Sequence, residues 1–147
     1  MSAGHTGEIP VWECERLLAD HTTGRICVLS GGYPLALPVS YHWTNVGGVG
    51  RRILMRTRLG NTIAAATGPA SFELDHIDEI AGKAWSVIAR GTLQEVHEMI
   101  EVPELRRWLM DGRGHLMELE VSSVSGRRFV SHMPGDDSAV VEWQLAG

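Results

Sequence analysis

Runs in which apolar and polar side chains alternate constrain the fold of this chain more than any other feature. In the clearest run, large apolar residues occupy every second position: Leu35, Leu37, Val39, Tyr41 and Trp43. A period of two puts these side chains on one face of a β-strand, because successive residues of a strand point to opposite faces. Further strands are predicted at 25–30, 53–58, 70–76, 84–96 and 117–122. The sequence therefore predicts a mainly β protein.

Six or seven strands with mostly antiparallel neighbours predict a closed or nearly closed barrel, since closure removes unpaired edges. Three short helices are predicted at 10–21, 63–67 and 103–112. The 147 residues fit a single domain, 1–147. Within it, 1–9 is predicted to be a flexible start and 131–147 a C-terminal extension that contains a last strand. A barrel filled by large apolar side chains has no room inside for a cofactor, so the outer face of the long strands is the candidate ligand surface.

Three local signals refine this picture. Pro38 cannot donate a hydrogen bond within a sheet, which predicts a bulge or an exposed edge at that position. Gly91 predicts a bend or a close approach of backbone within its strand. Residues 126–128, Gly-Arg-Arg, predict a turn.

Composition excludes several classes of function. The formal net charge of −5 and the lack of a basic face argue against nucleic-acid binding. No apolar run is long enough to span a membrane, and residues 1–10 do not resemble an export signal, so we expect a cytoplasmic protein. Cys14 and Cys27 are too few for a disulfide framework and form no metal-ligand set with the histidines. We expect both to be small buried apolar residues.

The stretch 51–69, RRILMRTRLGNTIAAATGP, joins a basic strand end to a predicted helix start. Arg56 and Arg58 lie near the end of the strand, and Gly60, Asn61 and Thr62 are residue types that begin helices. A helix N-terminus offers unpaired N–H groups and a positive dipole end to an anion. The stretch therefore outlines a phosphate site. The alternative is two solvated charges beside an ordinary turn.

Six motifs follow in order along the chain: ECERLLADHTTGRICVL, LALPVSYHW, ILMRTRLGN, ASFELDHID, AWSVIARGTLQEV and VSSVSGRRF. This succession, from Glu13 to Phe129, resembles the pyridoxamine 5′-phosphate oxidase-like flavin-binding split-barrel family, and most of all its small actinobacterial-type members. The resemblance implies a six-stranded antiparallel split β-barrel with short flanking helices. It also implies a homodimer that binds FMN in a groove between its subunits.

The resemblance assigns roles to two neighbouring strands. It places Pro38, Val39 and Ser40 beside the flavin ring, and Arg56 and Thr57 at the ribityl phosphate. Where the family commonly has a lysine near that phosphate, this chain has neutral residues, Asn61 and Thr62. Loss of one charge-assisted contact weakens FMN binding by roughly ten- to a hundredfold.

The later motifs supply the remaining site residues. Trp85 and Ser86 match residues that lie against the cofactor, although a tryptophan in the core or in a dimer interface is an equal alternative. Asp75 and Arg90 are matched as well, and Arg90 either serves the flavin or pairs with an acidic neighbour. His42 shares a strand face with Pro38 and Ser40. It is the histidine placed near a flavin edge as a proton donor, and an exposed strand histidine is the alternative.

The function implied by the resemblance is that of an FMN-dependent oxidoreductase or flavin-binding protein acting on an unknown small-molecule substrate. No catalytic triad, nucleophile elbow or persuasive carboxylate pair is visible in the sequence. Family members also use a deazaflavin coenzyme or reduce nitro compounds, and some bind haem, which ranks last here. The alternatives are a deazaflavin-dependent reductase on the same fold and a non-catalytic dimeric module that binds a small ligand.

Overall fold

Two glycines, Gly31 and Gly32, turn the chain between its first two long strands, with φ angles of 58° and 83° that favour glycine. The structure is a computed structural model, and it describes residues 4–46, 50–57, 63, 65–96 and 115–131. Its elements in chain order are β1 Gly4–Ile9, α1 Val11–Asp20, β2 Thr23–Ser30, β3 Tyr33–Val46, β4 Gly50–Thr57, β5 Gly68–Asp78, β6 Lys83–Glu95 and β7 His115–Ser131.

The strands form one antiparallel sheet in the order β1-β7-β4-β3-β2-β5-β6, and β6 also pairs with β7. This second pairing closes a ring of six strands, while β1 extends the sheet beside the second half of β7. The closed ring confirms the predicted six-stranded antiparallel split barrel. Gly4–Ile9, which the sequence analysis places in a flexible start, forms strand β1 and pairs with Gly126–Ser131 of β7.

The core lies inside the ring and is built by the alternation that the sequence shows. Tyr41, Phe72 and Met117 are among the side chains that it buries almost completely. Helix α1 closes one end of the barrel, where Cys14 and Leu18 are fully buried. The burial prediction for the cysteines is thus confirmed for Cys14, whereas Cys27 is half-buried.

Two glycines of the barrel permit close approach of backbone and side chain. A Cβ atom at Gly91 would lie 1.9 Å from the Glu120 carbonyl oxygen. The register between β6 and β7 shifts at this point, so the predicted close approach is confirmed. Gly126 was predicted to lie in a turn, and that prediction is wrong. It lies within β7, where a Cβ atom would be 2.6 Å from the Cys14 sulfur.

Several predicted elements lie wholly or partly outside the described residues. The third predicted helix, 103–112, and the last strand, 141–145, lie wholly outside them. Of the second predicted helix the structure describes Ile63 and 65–67, where the Ala66 N–H donates to the Ile63 carbonyl at 3.0 Å. No helix of the described part of the chain is long and apolar enough to cross a membrane.

Candidate functional site

The outer face of the barrel is the set of side chains that point away from the core on β3, β2, β5 and β6, together with those at the Arg56 end of β4. Strand register arranges this face in rows. One row holds Arg56, Ser40 and Thr23, which are neighbours on β4, β3 and β2. The next holds Pro38, Arg25 and Glu73 on β3, β2 and β5. A third holds Cys27, Ser71 and Arg90 on β2, β5 and β6.

The first row contains the predicted phosphate contact. Arg56 is half-buried and pairs with Ser40 on one side and Leu116 on the other. Ser40 is exposed, and His42 follows on the same side of β3, in register with Leu54. The side chain of Thr57 lies outside the described residues, and so do Asn61 and Thr62. The structure therefore brings together the arginine and the serine of the predicted cofactor site.

Pro38 is an exposed residue of β3 whose backbone nitrogen faces the side on which β4 lies. The Tyr41 N–H donates to the Thr22 carbonyl next to β2 at 2.9 Å. Because successive backbone groups of a strand point to opposite edges, the nitrogen of Pro38 faces the β4 side. The pairing of β3 with β4 begins only at Ser40, so Pro38 deprives no described strand of a hydrogen bond. Pro38 itself is exposed, whereas residues 58–62, which follow β4 on this side, lie outside the described residues, so the bulge and the exposed edge both stay predictions.

An arginine and two carboxylates form a cluster in the second row. Arg25 Nη1 donates to Glu73 Oε2 and to Asp75 Oδ2, both at 2.9 Å. Burial and a hydrogen bond with Asp75 raise the pKa of Glu73 to about 7, even though Arg25 opposes the shift. The cluster thus holds a proton close to neutral pH. Asp75, which the resemblance assigns to the cofactor, has Arg25 as its partner in this structure.

A small cavity of about 140 Å³ lies between the first two rows. Its lining includes Thr23, Arg25, Pro38 and Asp75. Ser86 is in register with Asp75 on the neighbouring strand, which puts another predicted residue beside this cluster. Pro38, Asp75 and Ser86 are therefore close on the outer face although they are far apart in sequence.

Two predicted site residues point away from the outer face. Val39 is buried in the core. Trp85 packs against the core cluster, and its ring lies 5.3 Å from that of His21 and 6.4 Å from that of His76, measured between centroids. In this chain the indole therefore packs as a core aromatic, which was one of its two interpretations.

Arg90 lies in a larger cavity of about 330 Å³ at the far end of the outer face. Cys27 and Ser71 contribute to the same cavity, and its other lining residues are largely apolar. The position of Arg90 on its strand puts it two rows away from Arg56. Arg56 and Arg90, which were both predicted to bind the cofactor, therefore lie at separate positions on the outer face.

Sequence reasoning missed Arg25 and Glu73 as functional candidates. In the sequence, Glu73 lies between the buried Phe72 and Leu74, and Arg25 lies between the buried Gly24 and Ile26. What the sequence could not supply was the pairing of β2 with β5, which puts Arg25 opposite Glu73. The part of the chain that the structure describes holds no group of His, Cys, Asp and Glu side chains suited to a metal ion.

Comparison with known proteins identifies the relatives of this chain. The family model described as pyridoxamine 5′-phosphate oxidase matches residues 11–128. No curated protein matches the chain. Similar solved structures include an FAD-binding protein from Mycobacterium smegmatis, with 24% identity and a TM-score of 0.64, over 85% of this chain and 99% of the other.

Two further structures share the fold. An FAD-binding protein from Mesorhizobium loti has 15% identity and a TM-score of 0.65, over 87% of this chain and 99% of the other. An FAD- and haem-binding protein from Mycobacterium smegmatis has 14% identity and a TM-score of 0.56, over 89% of this chain and 76% of the other. At these identities the likeness is one of fold.

Proposed function

The chain belongs to the pyridoxamine 5′-phosphate oxidase family, and on that premise we propose that it is a flavin-dependent oxidoreductase that binds FMN on its outer face. The observation that carries the proposal is the pairing of Arg56 with Ser40, one row away from Pro38 on the outer face. Together these residues offer a cation and a hydroxyl to one ligand. A flavin mononucleotide has a phosphate at one end and a polar ring edge at the other.

The residues of the first row suit a phosphate. A guanidinium binds phosphate oxygens through charge-assisted hydrogen bonds, and a neighbouring serine hydroxyl adds a neutral donor. In this proposal Arg56 binds the phosphate beside Ser40, and Pro38, one row away on β3, faces the ring.

A flavin supplies hydride and electron transfer, so the chain has to bind it, orient it and manage protons. Glu73 is suited to the last task, because its pKa of about 7 lets it hold a proton near neutral pH. His42 is the second candidate, on the same side of β3 as Ser40. Both side chains come from strands whose register is fixed by the closed barrel.

FAD is the second candidate cofactor. The structurally similar proteins from Mycobacterium smegmatis and Mesorhizobium loti are described as FAD-binding. FAD contains the same flavin and ribityl phosphate as FMN, so Arg56 and Ser40 suit either nucleotide. A deazaflavin coenzyme also remains a candidate, since it shares the ribityl chain. Haem is the last candidate, because the FAD- and haem-binding protein has a lower TM-score to this chain than the two FAD-binding proteins.

A homodimer and a cytoplasmic location complete the proposal. An outer face that holds a flavin needs cover from bulk water, and a second copy of the chain is the partner that the family resemblance implies. Leu29 and Tyr33, at the β2–β3 turn, are 67% and 77% exposed and offer apolar surface to such a partner. The free thiols Cys14 and Cys27 suit a reducing compartment.

The proposal is tested by identifying what the purified protein binds. The protein is denatured, and the released small molecules are analysed by mass spectrometry and absorbance. Release of FMN, or of FAD, supports flavin binding and decides between the two nucleotides. Protein that releases no flavin and binds neither FMN, FAD nor a deazaflavin coenzyme in calorimetry contradicts the oxidoreductase and leaves the ligand-binding module.

A further inference from the structure

A second cavity lies on the outer face, two rows away from Arg56. It has a volume of about 330 Å³, which is the lower end of the range for small-molecule sites. The β2–β3 hairpin forms one wall and the paired strands β5 and β6 form the other.

The charge of the cavity comes from Arg90. Its side chain is exposed, and within the described residues no carboxylate pairs with it. Burial raises the pKa of the Cys27 thiol, so this neighbour stays neutral at physiological pH. Ser71 is neutral too. Among the described residues that line the cavity, Arg90 is therefore the one charged side chain.

The two acidic residues of the second row, Glu73 and Asp75, are already partnered by Arg25. Glu73 lies one row closer to Arg56, where Arg25 Nη1 binds its carboxylate at 2.9 Å. Asp75 accepts from the same nitrogen. With both carboxylates held by Arg25, an anion from solution is the natural partner for Arg90.

The walls of the cavity select for an apolar body. Val28, Pro34, Pro69 and Ala70 are among the residues that line it. A ligand that covers these side chains removes apolar surface from water. We propose that the cavity binds a small organic monoanion, a carboxylate with an apolar body, whose carboxylate pairs with Arg90.

The cavity is a separate subsite of the same face. Rows on a strand are two residues apart, which is about 7 Å. A ligand at Arg90 therefore leaves the first row, at Arg56, unoccupied. A role for this ligand as a substrate or product of the flavin reaction rests on the proposed function. Binding of the ligand in the cavity does not depend on that function.

Calorimetric titration of the full chain with benzoate, and with the uncharged benzamide, tests the site. We expect benzoate to bind and benzamide to bind about ten- to a hundredfold more weakly, because benzamide lacks the charge. Arg90→Gln is expected to lower benzoate affinity by a similar factor. Arg16→Gln is the matched control, since Arg16 is an exposed arginine on α1, away from the cavity. Thermal melting checks that each variant folds.

Amide shifts in an NMR titration locate the ligand, and we expect benzoate to shift Cys27, Leu29 and Ser71. Any of three results overturns the proposal. These are no binding of benzoate at concentrations on the order of 10 mM, binding of benzamide as tight as that of benzoate, or binding of benzoate by Arg90→Gln as tight as by the wild type. The titration is repeated with protein saturated with FMN. If the protein binds benzoate but no flavin, the proposed function is contradicted and this site is supported. If it binds a flavin but no benzoate, this site is contradicted and the proposed function is supported.

Discussion

Gly126 shows how one residue determines the contact between a helix and the barrel. It lies within β7 facing α1, and a Cβ atom there would be 2.6 Å from the Cys14 sulfur and 3.1 Å from the Ser86 carbonyl oxygen. The Cys14 side chain is fully buried, so it has little room to move. A strand glycine of this kind is required by packing and not by a turn.

Gly126→Ala is expected to lower the free energy of unfolding by about 1–3 kcal/mol, as overpacking does. Removing the sulfur with Cys14→Ala takes away the closest of the clashing atoms. The double variant should therefore be more stable than the sum of the two single effects predicts, by about 1 kcal/mol. Urea unfolding measures all four proteins. If the destabilisation of the double variant equals the sum of the two single effects, the Cys14 side chain is not the reason that position 126 requires a glycine.

Glu73 is the residue whose ionisation should affect stability near neutral pH. Its folded pKa is raised, by burial first and by the hydrogen bond with Asp75 second. Between its ordinary value of 4.5 and about 7, the folded chain binds more protons at Glu73 than the unfolded chain. The contribution of Glu73 to stability therefore falls as the pH rises through this window.

Glu73→Gln cannot titrate, so the stability of the variant relative to the wild type should rise from pH 4.5 to about 7 and level off above. Chemical unfolding across this pH range provides the measurement. Glu79→Gln, at an exposed position in the β5–β6 turn, is the control and should show no such trend. A relative stability of Glu73→Gln that falls with pH would reverse the assigned sign.

Helix α1 is the element on which the end of the barrel depends. The Tyr41 hydroxyl donates to the Leu18 carbonyl at 2.6 Å, inside the core. Arg128 of β7 forms an ion pair with Glu13 of the helix. Burial raises the pKa of Tyr41 well above its usual range, so the hydroxyl remains a donor. Glu15 of the helix also forms an ion pair with Arg51 of β4 at 3.5 Å, so one buried hydrogen bond and two ion pairs connect the helix to strands β3, β4 and β7.

Tyr41→Phe should destabilise the protein by about 1–3 kcal/mol, because it leaves a buried carbonyl without its donor. Tyr33→Phe is a matched control, since Tyr33 is 77% exposed and the same atom is removed in water. We expect the control to stay within about 0.5 kcal/mol of wild type. Equal losses in the two variants, measured by denaturant unfolding, would show that the hydrogen bond to α1 contributes nothing.

The elements were largely predictable because alternation is a local signal. Leu35 to Trp43 show which face of β3 is buried without any knowledge of the neighbouring strands. Strand β1 was not predicted, because Gly4–Ile9 is strand-like only through its pairing with β7. The turn predicted at Gly126 failed for a related reason, since a glycine required by a packed helix looks like a turn glycine in sequence.

The candidate site was predictable only in part. Arg56 and Ser40 were identified by motif, and the register makes them neighbours. The cluster of Arg25, Glu73 and Asp75 depends on pairings between strands that are 48 and 50 residues apart in sequence. No local pattern reveals such a pairing.

At the scale of the whole molecule, the closed ring separates a filled interior from a ligand-accessible exterior. The core takes up the inward side chains, so ligands are left to the outer face. That face carries three rows with distinct chemistry: a cation with a hydroxyl, a proton-holding cluster, and an arginine cavity. A second copy of the chain is the cover proposed for it.

Sedimentation velocity tests the dimer, and we expect the wild-type chain to sediment at twice its monomer mass. Leu29→Asp puts a charge on the apolar surface at the β2–β3 turn and should shift the protein towards monomer. Ile80→Asp, at a residue that is 87% exposed in the β5–β6 turn, is the control and should remain dimeric. A wild-type monomer at micromolar concentration would contradict the proposed cover.

The central claim is that Arg56 binds the phosphate of a flavin nucleotide. Its most direct test is a fluorescence titration of FMN, repeated with FAD, into wild type, Arg56→Gln and the control Arg16→Gln. We expect micromolar or tighter binding by wild type and by the control, and a loss of about ten- to a hundredfold in Arg56→Gln. Absence of binding by the wild type, or an unchanged affinity in Arg56→Gln, would contradict the claim.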